Sequence, residues 1–245
     1  MPDVIAIIPT RMGSTRFPGK AIASQTGMPL ILHVVDAVAS ADIVERVLVA
    51  SEDAEIAEVC AAANVEHVMT SQGHPNGSSR IAEVAKELDA AVILNVQGDE
   101  PEIEAGTLDA AVTALLNDET ADVGTVATPI RPDDDPRDPN LVKVVVGLNG
   151  QALYFSRSLI PASVSETSPL WLRHIGIYAY RASVLARYAS LTPTPAERSE
   201  RLEQLRFLEH GYRIAVAQVD AAHPGIDTPE QYDAFVARWA ERSNQ

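Results

Sequence analysis

The chain has 245 residues, 46% of them hydrophobic, with 34 acidic side chains against 19 basic ones and a formal net charge of −15. That balance argues against nucleic acid or an anionic membrane as the main partner, and it makes any concentrated basic segment informative. The one cysteine, Cys60, excludes an intramolecular disulfide and fits a reducing, cytoplasmic setting.

Val4–Ile8 reads as a buried strand; it is too short for a signal peptide, and no run has the length of a membrane span. Ile31, Val34, Val35 and Val38 then share one helix face. Val47–Ala50 is the next strand, followed by a helix whose apolar stripe includes Cys60, read as a small core residue. Glu66–Thr70 reads as a third strand, followed by a helix carrying Ile81, Val84, Ala85 and Leu88. Val92–Val96 is a fourth strand. Continuous apolar strands separated by helices predict a sheet covered on both faces, a doubly wound, mostly parallel α/β fold. From about Ala121 the pattern turns β-rich. Leu141–Val146 and Gln151–Phe155 flank an Asn149-Gly150 turn, and His174–Tyr180 and Tyr212–Val219 alternate as strands. Helices are predicted at Ala182–Ser190, Ala196–His210 and Thr228–Arg242. The β-rich stretch 121–190 reads as an elaboration that covers the strand ends or pairs with another subunit. With no linker in sight, residues 1–245 form one expected domain.

Ligands of open α/β sheets bind outside the carboxyl ends of the strands, so the loops there are the places to search. Pro9-Thr10-Arg11-Met12-Gly13-Ser14-Thr15-Arg16-Phe17-Pro18-Gly19-Lys20 packs three cations, three hydroxyls and two glycines into one stretch of an acidic chain. Glycines let backbone N–H groups approach phosphate oxygens, and Arg and Lys add charge-assisted hydrogen bonds. The spacing is not that of a Walker A loop, and no G-x-G-x-x-G supports a nicotinamide oxidoreductase. Asn95-Val96-Gln97-Gly98-Asp99-Glu100-Pro101 follows the fourth strand; Asp99 there suits Mg²⁺ or a helix cap. Asp227, just before Thr228-Pro229, reads on its own as a helix cap. His74-Pro75-Asn76-Gly77-Ser78-Ser79-Arg80 opens a helix, where it caps the helix or faces a base and an anion.

In order and spacing, these loops resemble the 3-deoxy-manno-octulosonate (Kdo) cytidylyltransferases over Val4 to Ala237. Pro9–Lys20 resembles the signature P-x-R-x-x-S-x-R-x-P-G-K, and Asn95–Pro101 resembles N-V-Q-G-D-E-P. Pro139–Val145, Ala152–Arg157, Ile160-Pro161, Leu172–Tyr178, Leu202–Arg206 and Ile226–Glu230 also fit. The resemblance implies transfer of CMP from CTP to the anomeric hydroxyl of Kdo for lipopolysaccharide biosynthesis, with Mg²⁺ as cofactor and a homodimer as the assembly. It implies catalytic roles for Arg11, Lys20, Asp99 and Asp227, with Mg²⁺ on Asp99 and Asp227. It sets Arg11, Ser14, Lys20, Asn76, Arg80 and Gln97 on CTP, and Gln97, Arg157, His174, Tyr178, Glu203 and Gln204 around the sugar acid.

The departures are local. Gly77-Ser78-Ser79-Arg80 stands where the family has G-T-E-R, Ser71 where it has a basic residue, and Ala162 where it has an aromatic one. Ala162–Trp171 is also shorter than in the enterobacterial type. These bear on individual nucleotide contacts and on the acceptor, which leaves 8-amino-Kdo or another ulosonic acid as an alternative. A catalytically silent nucleotide-binding protein is the alternative from another class.

Overall fold

The structure, a computed structural model, describes residues 3–164, 170–220 and 225–243. Half of the segment 162–171 singled out above, residues 165–169, lies outside the described residues. The strands are β1 (Val4–Pro9), β2 (Arg46–Ser51), β3 (His67–Met69), β4 (Val92–Asn95), β5 (Val123–Pro129), β6 (Lys143–Val146), β7 (Ala152–Ser156), β8 (Leu172–Arg181) and β9 (Ile214–Gln218). The helices are α1 (Leu30–Ala39), α2 (Ala54–Ala62), α3 (Gly77–Ala85), α4 (Ala105–Asn117), α5 (Ala182–Leu185), α6 (Pro195–Glu200), α7 (Gln204–Glu209) and α8 (Pro229–Ser243).

Among the described residues the strands form one mixed sheet in the order β3-β2-β1-β4-β8-β5-β9, with the β6–β7 hairpin branching from β8. β1, β2, β3 and β4 pair in parallel, as do β5 and β9, while β8 runs antiparallel to both of its neighbours. The first two crossovers move outward from β1 through β2 to β3, and the next returns to β4 on the other side. The gap between the ends of β1 and β4 is therefore a topological switch point, where such sheets bind ligands.

Strand β1 explains why its run is apolar throughout. Val4, Ala6 and Ile8 point into a core shared with Val34, Cys60, Leu108 and Val112. Ile5 and Ile7 point into the opposite core, with Ile81, Val84, Leu185 and Phe207. Both faces are covered, so no polar alternation survives. The first half follows the expected elements. Helix α4, for which nothing was predicted, buries Leu108, Ala111, Val112 and Leu115, the i, i+3, i+4, i+7 spacing of a core-facing stripe.

The β-rich stretch is more than an outlying elaboration. β5 and β8 are interior strands of the main sheet, and only the β6–β7 hairpin leaves it. Two of the predicted helices are broken. Ala182–Ser190 is a single turn of α5 followed by a 3₁₀ turn at Tyr188–Ser190. Ala196–His210 divides at Arg201, which takes the left-handed conformation (φ 54°, ψ 49°). At the start of α6 the Glu197 carboxylate accepts from the Thr194 N–H at 3.2 Å, and Arg206 of α7 reaches back to Glu197 with bonds of 2.8 and 2.5 Å. That buried, paired link folds the two pieces onto each other, a tertiary contact that apolar periodicity does not register.

Helix α8 docks through Tyr232 and Phe235 against Leu30 and Phe17. The Tyr232 hydroxyl accepts from the Gln25 backbone at 2.9 Å. This fixes the start of α8, and with it Asp227, beside the loop that follows β1.

Candidate active site

The loop after β1 is tied down from below. The Met12 N–H donates to Asp53 Oδ2 at 2.8 Å, and Gly19 holds a left-handed turn (φ 72°) that starts a 3₁₀ turn at Lys20. The loops after β1 and β4 nearly touch. A Cβ on Gly98 would lie 3.0–3.1 Å from Thr10 side-chain atoms and the Pro9 carbonyl oxygen, so only glycine fits without a shift. The resulting open cleft, of about 300 Å³, is lined by Arg11, Ser14, Arg16, Lys20, Asn76, Arg80, Gln97, Asp99 and Asp227, among others.

Its acids converge on one cation. Lys20 Nζ lies 2.7 Å from Asp99 Oδ2 and 3.8 Å from Asp227 Oδ1, and it donates to the Ile226 carbonyl at 2.6 Å. Arg16 reaches the other oxygen of Asp227 at 3.1 Å. The Ile226 N–H donates to the Asp99 carbonyl at 2.8 Å, which sews the loop before α8 to the loop after β4. Asp227 is not the side chain that caps α8. Gln231 accepts from the Asp227 and Thr228 N–H groups at 2.7 and 3.0 Å, and Thr228 accepts from the Gln231 N–H at 3.4 Å. The Asp227 carboxylate is thereby left to face the cleft. Next to Asp99, burial and the Asp99 charge push Glu100 up to about 8, and its Oε2 is buried without a hydrogen-bond partner among the described residues.

A second cleft of about 320 Å³ adjoins the first, and Gly77 and Gln97 line both. It takes in Asn95, Asn140, His174, Gly176, Tyr178, Tyr180, Arg201, Glu203 and Gln204. Here the side chains lean toward neutrality. Burial, with Arg173 alongside, pushes His174 down to about 3. Burial also raises Tyr178 and Tyr180, and it raises Glu203 against the opposing hydrogen bond from Ser78. Ser78 Oγ donates to Glu203 Oε2 at 2.5 Å, joining α3 to the break between α6 and α7.

The structure therefore gathers Arg11, Ser14, Lys20, Asn76, Arg80, Asp99 and Asp227 in one cleft, His174, Tyr178, Glu203 and Gln204 in the other, and Gln97 between them. Arg157 is the exception. It is not among the residues that line the second cleft; its guanidinium donates to the Glu200 and Pro139 carbonyls at 2.8 and 2.9 Å. Those carbonyls directly precede Asn140 and Arg201 in the chain, so Arg157 helps to hold these two lining residues in place. Asn76 is likewise occupied: Oδ1 caps α3 by accepting from the Ser79 N–H at 2.8 Å, and Nδ2 donates to the Tyr188 hydroxyl at 3.0 Å. Arg80 is buried and paired with Glu52 at 3.4 Å and with Thr70. Sequence reading did not single out Asp53, Asn140, Thr125 or Arg201. Asp53 after β2 was the most legible of these, since an acid at a strand end beside the β1 loop is a natural brace.

The architecture has well-defined relatives. The cytidylyltransferase family model matches residues 5–214. The 3-deoxy-manno-octulosonate cytidylyltransferase of Geobacter metallireducens is 42% identical, over 96% of this chain and 97% of its own length. The chain belongs to the 3-deoxy-manno-octulosonate cytidylyltransferase family. The Syntrophotalea carbinolica member is 44% identical over 93% of this chain and 95% of its own. A solved CMP:2-keto-3-deoxy-manno-octonic acid synthetase complexed with CTP superimposes with a TM-score of 0.94 at 35% identity, covering 98% and 99% of the two chains.

Against that family the local departures have visible partners. Ser71 donates to Glu83 through its N–H at 2.9 Å and its hydroxyl at 3.1 Å, and Glu83 also meets His74 at 2.5 Å. Ser78 holds Glu203, as described above. Ser71 and Ser78 thus help to brace α3, and Ser78 does so while lining the second cleft.

Proposed function

We propose that this chain transfers CMP from CTP to the anomeric hydroxyl of Kdo, giving CMP-Kdo and pyrophosphate. The observation that carries the reading is the pair of adjoining clefts at the switch point. One concentrates Arg11, Arg16 and Lys20 with two carboxylates; the other holds a single arginine, Arg201, among the described residues and is rich in hydrogen-bonding groups. In this reading Arg11, Ser14 and Lys20 hold the triphosphate, with Asn76 and Arg80 on the nucleotide side. Gln97 spans the junction, and His174, Tyr178, Glu203 and Gln204 surround the acid. Arg201, the only Arg or Lys on that wall among the described residues, complements a carboxylate.

The sugar hydroxyl oxygen bonds to the α-phosphorus, the α–β bridging bond breaks, pyrophosphate leaves and the hydroxyl proton is released. Such a step asks the protein mainly for in-line positioning and charge neutralisation. Lys20 and Arg11 meet charge that builds on the α-phosphate and the leaving group. Asp99 and Asp227 fit a divalent cation: both already share one cation, and Mg²⁺ needs only one or two carboxylates besides phosphate oxygens. Mg²⁺, when bound there, supplies electrophilic charge to the phosphoryl oxygens and acidifies the attacking hydroxyl.

We read the chain as one domain, since strands from both halves share the sheet, and as a homodimer. Supporting the dimer, β7 is an edge strand that exposes Leu153 and Tyr154. A cytoplasmic setting fits the single cysteine, and no described helix is long and apolar enough to cross a membrane. Pyrophosphate release with CTP, UTP, ATP or GTP against Kdo and 8-amino-Kdo tests the assignment. Release only with CTP and Kdo is expected; release with another acid moves the substrate, and none with any acid removes the activity.

A further inference from the structure

Strand β8 carries a two-residue irregularity beside the second cleft. Thr125 of β5 pairs with Tyr178, but the next residue, Val126, pairs with Ile175. Gly176 and Ile177 are thus skipped by β5, and the pairing of β8 with β4 ends at Tyr178. A bulge of this kind leaves ladder groups unpaired and re-aims neighbouring side chains. The Ile177 carbonyl finds its partner in a side chain: Thr125 Oγ1 lies 2.6 Å away, with the Ile175 carbonyl farther off at 3.4 Å. The same Oγ1 lies 3.0 Å from His174 Nε2.

A threonine hydroxyl has one proton to donate, and a carbonyl oxygen can only accept. The short contact to Ile177 claims that proton, so toward His174 the Thr125 oxygen presents a lone pair. Nε2 must then carry the hydrogen. The ring is held neutral by its surroundings: His174 is buried, with Arg173 beside it, Phe155 against it edge-on at 4.9 Å, and Tyr178 at 5.3 Å. A neutral imidazole with hydrogen on Nε2 has a bare lone pair on Nδ1. That nitrogen has no hydrogen-bond partner among the described residues, and His174 lines the second cleft. A second acceptor stands on the same wall, the Asn95 Oδ1, buried and without a partner among the described residues.

We propose that Thr125 is a positioning residue that locks His174 in the Nε2–H tautomer, so that Nδ1 accepts a hydrogen bond from a hydroxyl of the acceptor sugar. The proposal rests on the reading of the second cleft as the sugar-acid site. It gives the cleft a chemical preference: a hydroxyl at that point is favoured, and an acceptor-only group such as a methyl ether or a carbonyl is disfavoured. The bulge is what makes the device work. Without the freed Ile177 carbonyl, the threonine proton could turn toward the ring and reverse the tautomer.

The test begins with ¹⁵N-histidine NMR of the ligand-free protein at neutral pH, which distinguishes the two tautomers and the imidazolium without any turnover. Wild type should show His174 protonated on Nε2 alone. Thr125→Val, which is nearly isosteric, should admit the Nδ1–H form and raise the KM for Kdo about tenfold, near the loss of one net hydrogen bond. The KM for CTP should be unchanged, and Thr125→Ser should restore both the spectrum and the KM. An Nδ1–H or imidazolium signal in wild type overturns the proposal. So does a Thr125→Val protein with an unchanged tautomer and KM, or one that weakens both substrates together without rescue by serine. If the free protein shows the Nε2–H form but accepts no Kdo, the functional reading has failed, the hydroxyl contact falls with it, and the tautomer lock survives alone.

Discussion

Half of the residues lining the first cleft come from one stretch, Pro9 to Ala21, whereas the second cleft is assembled from five stretches spread between Gly77 and Gln204. The first carries formal charges of both signs, three cations and two carboxylates of the loops around it among them. The second includes His174, Tyr178, Tyr180 and Glu203, whose proton equilibria burial pushes toward neutral forms, beside the exposed Arg201. A phosphate chain can be gripped by charge with modest geometric demands, because electrostatic attraction is long-ranged and weakly directional. A sugar offers only hydroxyls and one carboxylate, so recognition there depends on the direction of each donor and acceptor. The two halves of the site should therefore fail differently.

Removing charge from the first cleft should have the largest effect. Lys20→Ala is expected to cut turnover by about 10²–10³, the usual loss for a main electrostatic donor. Steady-state pyrophosphate assays measure it, and near-normal turnover in a folded variant would remove Lys20 from its role. Asp227→Asn comes next. Even outer-shell partners of metals contribute about 10–100-fold to affinity, so losing a direct carboxylate should raise the Mg²⁺ requirement at least about tenfold. Helix α8 should stay folded by circular dichroism, because Thr228 and Gln231 supply its cap.

Changes behind the second cleft should be smaller and selective. Arg157→Met leaves the Glu200 and Pro139 carbonyls without their donor. A stability loss of about 2 kcal/mol is expected in urea titrations, with a higher KM for Kdo and an unaltered KM for CTP. An equal effect on both substrates would erase the distinction between the clefts. The last effect concerns acid pH and leaves the protein near neutral pH untouched. His174 sits near 3 in the folded chain against the usual 6.5. Unfolding therefore takes up a proton between those values, so the stability tied to neutral His174 is complete above 6.5 and drains as pH falls toward 3. His174→Gln should flatten the acid limb of a urea-midpoint profile across that window, and an unchanged slope would show that the ring is not held neutral.

Much of the first cleft was legible because its chemistry is local. Arg11, Ser14 and Lys20 follow one strand, and Asp99 follows another at the same end of the same sheet. Asp227 was legible only in part. Residue spacing alone made it a helix cap; the structure assigns capping to Thr228 and Gln231 and turns the carboxylate toward Lys20. In the second cleft, family resemblance pointed to His174, Tyr178, Glu203 and Gln204, which line it, and to Arg157, which is bonded to the Glu200 and Pro139 carbonyls beside it, while Thr125 went unnoticed.

The sequence by itself determined the parallel half of the sheet, through apolar strands at helix-separated intervals, and the location of the basic segment at a strand end. Tertiary structure alone decided that β5 and β8 join that sheet, that the helix predicted over Ala196–His210 breaks at Arg201, and that a bulge at Gly176 and Ile177 frees a carbonyl for Thr125. The physical reason is range. Apolar periodicity and clustered charge are properties of neighbouring residues. Strand insertion, a paired arginine that folds two helices together, and the direction of one hydroxyl proton depend on groups brought together only when the chain has closed.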